Sequence, residues 1–175
     1  MLYMVIVHFT KSKLSVNVVY FLKFIFTVSI TITFIVFWTL LAPFAHLQNY
    51  NPWSISSFTT HMLAPALAIV DFFVDKKQIL IAKKHVFSGL LPPLIYFLFA
   101  CLLMVFRVDF GRGDLYPYFF MDIYSSAGWF GLIKQPFVLG TAYYLILILF
   151  IVLGISALLR GVHSLLVNKS KDKNI

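Results

Sequence analysis

One apolar segment of the chain, residues 55–74, contains three residues that are costly in an apolar surrounding: His61, Pro65 and Asp71. Pro65 lacks the N–H that would bond the His61 carbonyl, so we expect a bend that leaves a backbone acceptor free beside the imidazole. A neutral imidazole takes a hydroxyl proton near neutral pH, which makes His61 a candidate catalytic base. Asp71 needs a polar partner and is a candidate binding residue. It lies roughly 15 Å beyond His61 at about 1.5 Å per helical residue, too far for direct contact.

A structural interpretation of the same residues stays open. A histidine near a helix end often bonds a loop carbonyl, and Asp71 lies near enough to the end of its segment to reach water. Under that interpretation neither residue has a chemical role. His46 and His85 fit an interfacial position better than a chemical one.

The second concentration of polar residues is the loop at residues 107–135. Charges of both signs predict ion pairs that tie the loop over one end of the molecule, and two glycines allow tight turns. Tyr116, Pro117 and Tyr118 favour an extended or turned backbone that presents two phenol rings. We predict Arg112, Tyr116 and Tyr118 as binding residues for a carboxylate or headgroup. Composition by itself favours the simpler alternative, an ordinary loop rich in aromatic residues.

Several kinds of site are excluded by the residues present. Cys101 is the only cysteine, so neither an intrachain disulfide nor a cysteine-based metal centre can form. Histidines and carboxylates show no metal-ligand spacing, and no phosphate loop or serine-nucleophile motif occurs. We therefore expect no metal and no cofactor. The formal net charge of +8 is concentrated at segment ends, which indicates membrane topology and anionic lipid rather than nucleic acid.

The elements that position these residues follow from composition. Apolar residues make up 61% of the chain and charged residues 11%, against roughly 25% charged in soluble domains. Long apolar blocks predict an all-α, multi-pass helical bundle with about four spans, at residues 16–42, 55–74, 86–106 and 136–159. Lys23 interrupts the first span and can extend to the headgroups. The prolines at 92 and 93 should kink the third.

The parts outside the spans complete the predicted organisation. Residues 1–15 are a cytoplasmic lead-in to a membrane domain at 16–162, and a basic tail follows at 163–175. The chain from Arg160 to Ile175 is expected to be disordered. Ten lysines and arginines flank the spans on one side and three on the other, with Lys23 left inside the first span. Because basic residues favour the cytoplasmic side, both termini are predicted to be cytoplasmic in a protein of the cell membrane.

Three stretches together resemble a bacterial family of polytopic membrane proteins that usually has six spans: THMLAPALAIVDFFVD, LLPPLIYFLF and RGDLYPYFFMD. That family is distantly similar to the androgen-induced membrane proteins of animals, which hydrolyse fatty acid esters of hydroxy fatty acids with an intramembrane threonine and a histidine. The resemblance implies that His61 is that histidine. It also implies two further spans before the first one here. The first span contains four threonines, none of which matches the family nucleophile: Thr27, Thr31, Thr33 and Thr39.

Two functions follow as hypotheses. The first is hydrolysis of a lipid ester at an outward-facing polar site, with His61 as general base. The alternative is a non-catalytic membrane subunit or small transporter, in which His61 and Asp71 serve proton or solute coupling or helix packing. Membrane lipids are the expected partners, together with another membrane chain or a second copy. Because a short connection makes spans two and three antiparallel neighbours, His61 and the Tyr116-Pro117 turn are expected to lie within reach of each other at the outer membrane surface.

Overall fold

A computed structural model describes residues 16–48, 50–74, 80–111, 113–134 and 137–172. Its architecture is an all-α bundle with four helices that are long and apolar enough to cross a membrane. They run over Asn17–Ala45 (span 1), Ile55–Val74 (span 2), Lys83–Val105 (span 3) and Thr141–Lys169 (span 4). The predicted fold class is confirmed. The predicted lead-in at residues 1–15 lies outside the described residues.

Spans 1 and 2 each change helix type near the same end of the bundle. Span 1 is α-helical over Val16–Val36, widens to a π-helical turn at Phe37–Leu41 and tightens to a 3-10 helix at Ala42–Gln48. Span 2 is α-helical over Ile55–Phe58, π-helical over Thr59–Leu63 and α-helical over Ala64–Val74. Ser54 caps its start by accepting a hydrogen bond from the Ser57 N–H at 3.3 Å.

Span 3 begins as a 3-10 helix at Lys83–Leu90 and continues as an α-helix over Leu91–Val105. The proline pair lies in the first turn of the α-helical part, where a missing N–H is tolerated. Pro92 and Pro93 therefore mark the change of helix type. The predicted start at residue 86 is three residues late, because Lys83 is already helical.

Span 4 differs most from its prediction. Instead of beginning at residue 136, the helix extends over Thr141–Asp172, after an antiparallel hairpin of β1 (Leu132–Lys134) and β2 (Phe137–Leu139). Aromatic and β-branched residues at 137–138 favour a strand over the expected helical turn. The expectation of disorder from residue 160 is also wrong for residues 160–172, which continue the helix. His163 and Val167, four residues apart, are buried against the bundle and extend the packed face of the helix.

Span 1 lies at the centre of the bundle and contacts the other three spans. Its buried face joins one apolar core with spans 2 and 4, formed by residues that include Phe24, Val28, Phe72 and Val152. We call the end of the bundle that carries residues 106–140 the loop end. The opposite end, with Val16 and Asp172, is the terminal end.

The loop of residues 106–140 is fastened to the loop end by apolar contacts. Phe120 and Met121, in a 3-10 turn at Phe119–Met121, are buried against Ala100 and Met104 of span 3. Among the described residues no ion pair forms in this loop. The Asp109 carboxylate instead accepts hydrogen bonds from the N–H groups of Gly111 and Gly113, at 2.6 and 3.2 Å. Both glycines have positive φ angles, as the predicted tight turns require.

Candidate functional site

A cavity of about 300 Å³ lies between all four spans and the loop. Its walls are mostly apolar and come from spans 1, 3 and 4 and the loop, among them Ile32 and Phe37 of span 1, Phe97 of span 3 and Leu145 of span 4. Polar groups are contributed by a few side chains: Ser29, Thr33, His61, Tyr96, Tyr118 and Thr141. The described lining residues include no acid, lysine or arginine. This combination of apolar walls and a few polar atoms is typical of small-molecule sites, which run from about 300 to 1,000 Å³.

His61 is held at this cavity by two residues of span 1. The Phe37 ring stacks on the imidazole, with centroids 3.9 Å apart and planes inclined by 8°. The Trp38 indole N–H donates a hydrogen bond of 3.1 Å to the His61 carbonyl. The acceptor that Pro65 was predicted to leave free is therefore used by a neighbouring helix.

The π-helical turns explain how these contacts arise. His61 lies in the π turn at Thr59–Leu63, while Phe37 and Trp38 open the π turn at Phe37–Leu41. A π turn rotates the following side chains relative to an α-helix, and such turns recur at functional sites. Here the two wide turns face each other and bring an imidazole, a phenyl ring and an indole together.

The His61 imidazole keeps unused hydrogen-bonding capacity. Its Nδ1 atom is buried and has no partner. Buried polar atoms are nearly always hydrogen-bonded, so an unpartnered one indicates a ligand, a water or a catalytic use. Within the part of the chain that the structure describes, no hydroxyl bonds this ring. The Ser29 and Thr33 hydroxyls donate to carbonyls one helical turn earlier, at 2.9 and 3.0 Å.

Thr141 brings a further hydroxyl to the cavity wall from the opposite side. It is 2% exposed and is the first helical residue after the hairpin. Its N–H donates to the Gly128 carbonyl at 3.0 Å, which anchors the start of span 4 to the loop. Gly140, just before it, passes so close to the Trp129 backbone that a Cβ atom would not fit.

The predicted binding residues of the loop divide into three cases. Tyr118 lines the cavity with His61, and its ring lies 6.3 Å from that of Tyr96. Tyr116 packs against the Phe120 cluster and does not line the cavity. Arg112 lies outside the described residues. Burial raises the pKa of the Tyr116 phenol, and the charges of Asp114 and Asp122 raise it further.

Asp71 belongs to a different part of the molecule. Its carboxylate forms an ion pair of 3.0 Å with the Lys23 ammonium, which also donates to the Asp71 carbonyl at 2.9 Å. The Asp71 side chain is 69% exposed, and its predicted need for a polar partner is met by Lys23. Lys23, expected to reach the headgroups, is 12% exposed and turns towards span 2 instead.

A buried polar contact that the sequence did not reveal lies near this ion pair. The Tyr20 hydroxyl and His163 Nε2 are 2.7 Å apart, and both residues are 3% exposed. Phe72 packs against both rings, at centroid distances of 5.8 and 5.3 Å. These three residues join spans 1, 2 and 4 at the terminal end. His163 escaped notice because it falls in the segment expected to be a disordered tail.

Sequence reasoning also missed Phe37, Trp38 and Tyr96 as site residues, since aromatic rings near span ends are common.

Among the described residues, no group of three histidine, cysteine or acidic side chains is placed to hold a metal ion. Comparison of the chain with protein-family models, with curated proteins and with solved structures finds no match.

Proposed function

We propose that this chain is a multi-pass protein of the cell membrane that binds an acyl-chain lipid in the cavity between its four spans and the loop. The observation that carries the proposal is the cavity itself, with apolar walls contributed by spans 1, 3 and 4 and the loop, and with His61 of span 2, whose Nδ1 atom is unpartnered, in its lining. Apolar walls suit an acyl chain because burial of apolar surface is favourable in proportion to its area. His61, Tyr96 and Tyr118 supply hydrogen-bonding atoms for a polar headgroup.

The proposed orientation places the loop end outside and both termini in the cytoplasm. The described cations towards the terminal end include Lys83, Lys84, Arg160, Lys169 and Lys171, whereas those of the loop are Arg107 and Lys134. Reporter fusions within the loop at Gly113 and after Ser170 should report opposite sides of the membrane. A cytoplasmic signal from Gly113 would contradict the orientation.

Lipid binding is testable by filling the cavity. Thr33 lines the cavity and is exposed, so Thr33→Phe should narrow the cavity without disturbing the core. Thr39→Phe is the matched control, because Thr39 is an exposed threonine of the same span that does not line the cavity. Purified protein in detergent would be photolabelled with a phospholipid that carries a diazirine in its acyl chain. Labelling of residues 29–37 should fall in Thr33→Phe and persist in Thr39→Phe; equal labelling of both variants would refute the proposal.

Hydrolysis of a lipid ester is the second candidate, and the resemblance to the androgen-induced proteins supports it. The specific observation in its favour is that the hydroxyls of Ser29, Thr33 and Thr141 line the same cavity as His61. In this mechanism a hydroxyl oxygen attacks the ester carbonyl while His61 takes the hydroxyl proton. The imidazolium gives that proton to the departing alcohol, which leaves an acyl group on the enzyme oxygen. Water, deprotonated by His61, then attacks the acyl carbon; the bond to the enzyme oxygen breaks, the imidazolium returns the proton to that oxygen, and the acid leaves.

An assay of ester hydrolysis separates lipid binding alone from catalysis. Ester hydrolysis by purified protein should disappear in His61→Ala and persist in His85→Ala, since His85 packs on Phe21 away from the cavity. Separate Ser29→Ala, Thr33→Val and Thr141→Val variants would identify the nucleophile. If wild-type protein binds lipid yet hydrolyses no ester, the lipid-binding function stands without catalysis. Membrane chains that then co-purify would favour the non-catalytic subunit.

A further inference from the structure

A cluster of three cations occupies a fixed position at the terminal end. Arg160 of span 4 donates a hydrogen bond from Nε to the Ile81 carbonyl at 3.0 Å. Ile81 is buried at 4% exposure and belongs to the main apolar core, so the carbonyl that Arg160 bonds is held in a fixed position. Lys83 and Lys84 follow two and three residues later and are exposed. We define Lys83, Lys84 and Arg160 as the basic cluster.

Close packing of the start of span 3 against span 4 also holds the basic cluster in position. The 3-10 segment Lys83–Leu90 packs along span 4. Its Gly89 lies against Ser156 and Val28, where an added Cβ atom would collide with the serine hydroxyl. Such close approach at small residues is a common way to join membrane helices. The two lysines therefore start from a backbone that is held against the helix of Arg160.

The charges of the basic cluster are not neutralised within the described residues. None of its three members makes an ion pair there. The carboxylate of Asp71 is already paired with Lys23. With Nε engaged by Ile81, the Arg160 guanidinium retains two terminal nitrogens, which suit a phosphate because they donate in a planar fork.

We propose that the basic cluster binds the phosphate of an anionic membrane lipid. A lipid suits the site better than free phosphate because apolar side chains beside the cations are themselves exposed. Leu80 lies three residues before Lys83 and Phe87 three residues after Lys84, and they are 48% and 65% exposed. Acyl chains cover such surface, whereas a water-soluble anion does not. This site is separate from the cavity and does not depend on the function proposed for it.

The test is selective lipid retention. Full-length protein would be released from nanodiscs made of an equal mixture of phosphatidylglycerol and phosphatidylcholine and examined by native mass spectrometry. Phosphatidylglycerol should be retained in preference. Each basic residue near a membrane surface contributes about fivefold to anionic-lipid binding, so K83Q/K84Q should reduce the retention ratio about 25-fold. The matched control is R107Q/K134Q, which removes the same charge at the loop end from exposed positions.

The role of Arg160 and the identity of the ligand are tested separately, with Arg160→Lys and with inorganic phosphate. Arg160→Lys keeps the charge and loses the planar fork, so it should lower the ratio severalfold; an unchanged ratio would remove Arg160 from the site. The proposal would be overturned if wild-type protein retained the two lipids equally. It would also be overturned if K83Q/K84Q and R107Q/K134Q lowered the retention ratio equally. Binding of inorganic phosphate without lipid selectivity would overturn the assignment to a lipid. Because Lys83 and Lys84 are exposed, an unchanged unfolding temperature is expected to accompany the loss of selectivity.

Discussion

The hydrogen bond between Trp38 and the His61 carbonyl gives the sharpest test of the site. Pro65 has no N–H to give this carbonyl, so the indole supplies a donor that the helix itself lacks at that position. Trp38→Phe removes the donor and keeps an aromatic ring. We expect a lower free energy of unfolding and a looser Thr59–Leu63 turn, because the contact between the two π turns is weakened.

The expected size of this effect follows from the position of the bond. Hydrogen bonds between helices in membranes average about 0.6 kcal/mol and reach about 1.7. A bond of 3.1 Å to a carbonyl beside a proline belongs near the upper value, and the smaller ring also loses contact with Trp53. We expect Trp38→Phe to cost about 1.5 kcal/mol. Trp53→Phe is the control, since Trp53 is 68% exposed, and surface changes usually stay within about 0.5 kcal/mol.

The assay is reversible unfolding in detergent followed by circular dichroism, performed as a double-mutant cycle with Pro65→Ala. Alanine at position 65 restores an N–H that can donate to the His61 carbonyl. Trp38→Phe should therefore cost less in the Pro65→Ala background than in the wild type. Additive costs, or a Trp38→Phe cost no larger than that of Trp53→Phe, would show that the indole bond does not hold the π turn.

Three further predictions concern other parts of the fold. Asp71→Ala leaves the mostly buried Lys23 ammonium without its carboxylate and should lower the free energy of unfolding by about 1 to 2 kcal/mol, a modest value because Asp71 is exposed. Adding Lys23→Met to the same chain should restore most of this free energy in the same unfolding assay. Gly89→Ala should cost about 1 to 3 kcal/mol by overpacking, and Ser156→Ala should relieve part of that cost by removing the colliding hydroxyl; no relief would contradict the packing described. The raised pKa of Tyr116 means that the folded state favours the neutral phenol, so its stabilisation is complete below pH 10 and is lost as pH rises through the folded-state pKa. Stability of Tyr116→Phe should fall less steeply than that of wild type in this range, and identical slopes in pH-dependent unfolding would refute the assignment.

Local sequence patterns were sufficient for several parts of this structure. The four apolar segments predicted the four long helices, since length and hydropathy are properties of the segment alone. Likewise, the absence of an N–H at Pro65 is a covalent fact that needs no tertiary information. The turns at Gly111 and Gly113 followed from the freedom of glycine to adopt positive φ.

The identity of each partner was decided only by the tertiary structure. Pro65 predicted a free carbonyl at His61 but not that Trp38 would bond it, because this depends on which face of span 1 meets span 2. Similarly, Asp71 required a polar partner, and the fold supplied Lys23, 48 residues away in the chain. The start of span 4 was mispredicted because apolar residues before Gly140 suit either a helix or a strand, and pairing with β1 selects the strand. Composition and periodicity determine which segments are helical, while their relative rotation and depth determine which side chains share a site.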